Sequence, residues 1–122
     1  MTEKCLDTYA LWEIIHGNPK FAFLLNDDFV LTDWTLIELY KTLLKSFDKN
    51  FSQNWIEKFR PYARNVNFET IVLAVDFLHE NRKQDISLFD SVGYIYSKSN
   101  KMKFVTGDKE FKNMENVLFI QK

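Results

Sequence analysis

The chain has 122 residues, 46% hydrophobic and 27% charged, with a formal net charge of −1, so we expect one domain over residues 1–122 with a core that needs no staples. A near-neutral charge excludes chain-wide attraction to nucleic acid, so an RNA or DNA partner has to be drawn by a local patch or a bound metal. A lone cysteine, Cys5, excludes an internal disulfide and a cysteine-built zinc site, and fits a reducing, cytoplasmic setting.

In chain order, Glu3–Leu6 reads as a short strand entered directly from the N-terminus, and no signal peptide is expected. Thr8–His16 reads as a helix with Leu11, Ile14 and Ile15 on one side, stopped by Gly17-Asn18-Pro19. Phe21–Asn26 extends it by a further helical turn, and Phe29–Thr32 is a second strand. Leu36, Leu39, Tyr40, Leu43 and Leu44 recur at helical spacing and predict an amphipathic helix over Thr35–Ser46. Asn50–Phe59 is another helix, ended by Pro61, and Ala63–Val66 a third strand. Phe68–Asn81 is a helix carrying Ile71, Val72, Val75 and Leu78; Ser87–Lys98 is a helix with Val92, Ile95 and Tyr96 facing in. Lys103–Thr106 is a fourth strand, Asp108–Phe111 a short helical turn and Val117–Ile120 a fifth strand. This alternation predicts a parallel sheet covered by helices on both faces. No apolar run approaches the ~20 residues of a membrane span, and no membrane role is expected.

Four acidic residues stand at strand-to-helix junctions or in first helical turns: Asp7, Glu38, Asp90 and Asp108. In an open α/β fold such positions meet at one edge of the sheet. Gathered carboxylates repel one another, by roughly 4 kcal/mol for two unit charges ~4 Å apart at an effective dielectric of about 20. Such a group takes up protons or binds hard cations. Each residue also has a purely structural reading. Thr35-x-x-Glu38 and Ser87-x-x-Asp90 match capping boxes, and Asp7 and Asp108 suit plain N-caps.

Taken together, the segments resemble the PIN-domain family, the nuclease fold of VapC-type toxins. Leu6-Asp7-Thr8-Tyr9-Ala10 matches its opening strand into an acid. Thr35-Leu36-Ile37-Glu38-Leu39 matches its Glu-bearing helix, and Ile86-Ser87-Leu88-Phe89-Asp90-Ser91 its third acid at a helix start. Phe104-Val105-Thr106-Gly107-Asp108-Lys109-Glu110-Phe111 matches its final strand and acidic turn, the most specific of the four. Phe89 departs from the small residue usual beside the third acid, and Asp85 is a nearby rival for Asp90. The resemblance implies a three-layer α/β/α sandwich around a five-stranded, mainly parallel sheet. It implies an Mg²⁺- or Mn²⁺-dependent ribonuclease with Asp7, Glu38, Asp90 and Asp108 as catalytic residues. Asp7, Asp90 and Asp108 are the expected metal ligands, with Glu38 acting through water and Thr8 and Thr106 supporting. It also implies an RNA substrate, an antitoxin partner and a homodimer. The alternatives are an RNA-processing nuclease outside a toxin pair and a non-catalytic module that binds RNA or protein.

Phe47, Phe51, Trp55, Phe59 and Tyr62 read as a buried helix face or a partner surface. Trp12 and Trp34 read as core or base-stacking residues. Lys98, Lys101, Lys103, Lys109 and Lys112 surround the last acidic motif in sequence and read as solvated charge or a phosphate track. His16 and His79 lack ligand spacing, and Cys5 reads as a small buried strand residue.

Overall fold

The computed structural model describes residues 3–122. Its strands are β1 (Lys4–Leu6), β2 (Phe29–Thr32), β3 (Ala63–Arg64), β4 (Lys103–Thr106) and β5 (Val117–Phe119). They form one sheet in the order β3-β2-β1-β4-β5, with every neighbouring pair parallel. The helices are α1 (Thr8–Ile15), α2 (Asp33–Ser46), α3 (Lys49–Phe59), α4 (Phe68–Glu80) and α5 (Leu88–Ser99). Tighter 3₁₀ turns cover Pro19–Asn26, Arg60–Tyr62 and Lys109–Phe111. The expected elements are all present, the third strand being trimmed to two residues.

Alternation along the strands makes the sheet two-faced. Leu6, Leu31 and Val105 point to one side, where Leu11, Leu39, Leu43 and Phe59 from α1, α2 and α3 complete a core. Cys5, Val30 and Phe104 stand in register on the other side. There Tyr94, Phe111 and Met102 cover them. Burial pushes the Cys5 thiol up to about 12, which leaves it an inert packing group.

Two helices differ from the sequence expectation. Thr32 caps α2, its hydroxyl accepting from Thr35 N at 3.0 Å. The helix therefore starts two residues early, and Thr35 does not form a capping box with Glu38. On α4, Val72 and Val75 are 42% and 50% exposed rather than buried. That helix packs chiefly on α5 through a seam of small residues, Thr70 and Ala74 being its buried positions. Ser91 of α5 donates to the Ala74 carbonyl at 2.7 Å across the seam. A seam this narrow leaves most of the apolar stripe outside it.

Close approach also sets α5 against the sheet. A β-carbon at Gly93 would lie 2.9 Å from Cε1 of Phe104. Overpacking at such a site costs about 1–3 kcal/mol. Gly93→Leu is expected to lower the unfolding free energy by about that amount, read as a lower urea midpoint at unchanged m; an unchanged midpoint would show that α5 can move off β4 freely.

Candidate active site

Strand order creates the site. From β1 the chain runs outward to β2 and β3 and then crosses back to β4 on the other side of β1, and a crevice opens at that reversal, at the carboxyl ends of the strands. Asp7 follows β1 directly. Its backbone N–H donates to the Val105 carbonyl at 3.1 Å, and its carboxylate caps α1 by accepting from Ala10 N at 2.8 Å. Asp108 follows β4 and accepts from Glu110 N at 3.0 Å, while its own N–H donates to the Thr106 hydroxyl at 3.0 Å. Glu38 stands on α2 and accepts from the Thr8 hydroxyl at 2.5 Å. Asp90 occupies the first turn of α5, where its N–H donates to the capping Ser87 hydroxyl at 3.1 Å. Thus Asp7 and Asp108 do cap, and Ser87 caps α5, yet all four acids also line one cleft of about 530 Å³.

The cleft contains more than the sequence suggested. Asp85, the rival of Asp90 in the sequence, joins its wall together with Asp90 itself, as does Glu110, and among the described residues Lys109 is the only basic one lining it. Asp85 N donates to Glu110 Oε1 at 3.3 Å, which ties the α4–α5 loop to the turn after β4. Glu110 belongs to the final acidic motif, yet a surface glutamate two residues past a cap has no distinguishing local pattern. Tyr9, Thr42 and Gly107 also line the cleft.

Electrostatics follow from that crowding. Asp7 is only 2% exposed. Burial raises its pKa well above the ordinary carboxylate range, with Asp90 and then Glu38 adding repulsion; hydrogen bonds from Thr106 and Ala10 work the other way. Asp90 is pushed up to about 7, first by burial and then by the Glu38 and Asp108 charges. Among the described residues, no three His, Cys, Asp or Glu side chains close into a ready-made metal cage. A hard divalent cation does not require one. Mg²⁺ keeps several waters and takes one or two carboxylates together with substrate phosphate oxygens. An all-oxygen donor set whose members repel in its absence suits such an ion.

The other sequence candidates fall into two groups. Lys109 reaches the cleft, but Lys98, Lys101 and Lys103 lie at the opposite end of β4, where Lys98 pairs with Glu115 at 2.7 Å. Lys112 sits over the Phe119 ring, 5.8 Å from its centroid. The aromatic series splits as well: Phe59 is buried, Phe47 and Trp55 half-buried, and Phe51 and Tyr62 are 38% and 42% exposed. Trp12 packs on the core beside Phe47, and Trp34 packs on Phe89 with ring centroids 5.9 Å apart. His16 bonds the Trp12 carbonyl, and His79 lies on the exposed side of α4.

No family profile matches the sequence, and no curated protein matches it. Solved structures do match over the whole chain. A toxin–antitoxin complex from Klebsiella pneumoniae superposes with a TM-score of 0.76 at 14% identity, covering 98% of this chain and 99% of that one. DNA-bound VapBC from Salmonella typhimurium gives 0.76 at 16% identity, covering 99% and 98%. VapC20 of Mycobacterium tuberculosis, a sarcin–ricin loop cleaving toxin, gives 0.75 at 13% identity, covering 98% of each chain.

The pH dependence of the metal-free protein reports the charge crowding. A carboxyl raised from 3.8 to about 7 contributes stability that is fully present below pH 3.8 and lost as pH rises through 7. Asn at position 90 is permanently neutral and avoids that loss. Asp90 is partly solvated, so the full shift is discounted: Asp90→Asn is expected to stabilise the metal-free chain by ~1–2 kcal/mol at pH 8, the gain disappearing near pH 4. Equal stability at pH 8 would mean that the carboxylates do not repel as placed.

Proposed function

Because the chain has the PIN-domain fold of VapC-type toxins, we propose that it is a divalent-metal-dependent endoribonuclease and the toxin of a toxin–antitoxin pair. One observation carries this reading: four carboxylates from four separate segments converge on one cleft at the switch point of a parallel sheet. Asp7 and Asp90 are the ligands in this proposal, because they are the pair whose burial and mutual repulsion a cation would relieve. Asp108 supports them from the end of β4. The Thr106 hydroxyl accepts from the backbone of Asp108 and favours the ionised form of Asp7. Thr8 holds Glu38 in a fixed rotamer, so that its remaining oxygen can orient an attacking water. Lys109, beside the acids, can pair with a substrate phosphate. Bound Mg²⁺ or Mn²⁺ supplies the positive charge that activates water and offsets the charge of a cleaved phosphodiester.

A protein partner agrees with the surface of α4. Phe68, Val72 and Val75 form a stripe along it and are 74%, 42% and 50% exposed, with Leu73 beside them at 52%. A contiguous apolar strip of this kind marks an interaction surface. Antitoxin and a second copy of the chain are the partners proposed.

The reading predicts Mn²⁺ binding by calorimetry that disappears in a folded Asp7→Asn/Asp90→Asn double variant. It predicts RNA cleavage that chelation abolishes and that Asp7→Asn lowers by about 100-fold or more. Undiminished cleavage by purified Asp7→Asn would sink the metal-nuclease proposal. Expression of the chain is further expected to arrest growth unless a small neighbouring protein is co-expressed. Cleavage without arrest would leave a nuclease outside a toxin pair.

A further inference from the structure

Among the described residues that line the acidic cleft, Tyr9 is the one aromatic side chain; the rest, apart from Gly107, are polar or charged. It sits in the first turn of α1, one residue past Thr8 and two past Asp7. Its ring lies directly on the backbone of Gly107: a β-carbon there would come within 2.1 Å of Cε1, 2.3 Å of Cζ and 2.6 Å of Cδ1. The Tyr9 hydroxyl accepts from Lys122 N at 3.2 Å, and Phe21 supports the ring with centroids 6.0 Å apart. The ring is therefore held at both ends, yet Tyr9 remains half-buried and lines the cleft.

Resting on the nuclease reading above, we propose that Tyr9 is a substrate-contacting residue that stacks a nucleobase next to the scissile phosphate and so sets base preference. An anionic wall repels a phosphate backbone wherever no cation intervenes, whereas a neutral π face takes up an uncharged base. Stacking on an aromatic side chain is a general means of gripping single-stranded RNA, and because bases differ in stacking strength the grip carries a modest preference among them. Fixing the ring beforehand removes the entropy cost of ordering it on binding. Gly107 is the seat that allows this, because any larger residue displaces the ring from the wall.

The test uses the full chain with Mn²⁺ and a pool of short single-stranded RNAs whose cleaved ends are sequenced. Tyr9→Leu is expected to raise KM about 10-fold with kcat within ~2-fold, and to broaden the bases accepted at the cut. Tyr9→Phe restores both, and Gly107→Ala, which keeps the Tyr9 side chain but displaces its ring, reproduces the Tyr9→Leu result. Unchanged KM and base preference in Tyr9→Leu overturn the inference. So does a fall in kcat that parallels a fall in Tm, which would make the ring a structural wall only. Should the wild type cleave nothing, anisotropy with the labelled pool decides. Weaker binding by Tyr9→Leu sustains the stacking role while the nuclease reading fails, and equal or absent binding removes both.

Discussion

Mutual repulsion among carboxylates at the end of β1 is the constraint around which the molecule is arranged. Asp7 is almost wholly buried, and Asp90, Glu38 and Asp108 act on it or on one another. Leaving such charges unneutralised inside a fold is unfavourable. The protein offsets part of that cost locally. Asp7 and Asp108 cap helical turns, Glu38 accepts a hydroxyl from Thr8, and Ser87 anchors the turn that carries Asp90. These bonds hold the acids in place around the cleft.

Holding the acids together demands short distances between elements, which small residues supply. Gly93 lets α5 approach Phe104, and α5 in turn positions Asp90. Thr70 and Ala74 let α4 lie against α5, with Ser91 bridging to the Ala74 carbonyl. Gly107 lets the Tyr9 ring rest on the backbone immediately before Asp108. Large apolar side chains do the opposite work in the strands, where Leu6, Leu31 and Val105 on one face and Phe104 on the other keep the sheet rigid beneath the cleft.

Glu38 and the lysines show where a linear reading reaches its limit. Thr35-x-x-Glu38 has the form of a capping box, but Thr32 reaches the same amides first because β2 ends there, and Glu38 is freed to meet Thr8, thirty residues away in sequence. Lys98, Lys101 and Lys103 precede the acidic turn by few residues. An extended strand then carries them to the far end of the sheet, and only Lys109 stays with the acids. Glu110 and Asp85 reach the cleft through a loop-to-turn bond that no local pattern announces.

Periodicity, capping and turn chemistry act over a few neighbouring residues, and so the elements, their order and the acids at strand ends were legible in the chain. It also carried motifs that resemble one nuclease family across nearly the whole chain. Tertiary structure alone decided that β4 joins β1 on the side away from β2, and hence that the four acids share a cleft. It also decided that Val72 and Val75 face solvent and that Tyr9 forms part of the cleft wall. The physical reason is that strand order, helix contact faces and charge proximity arise from pairings between distant segments, which no short window of residues encodes.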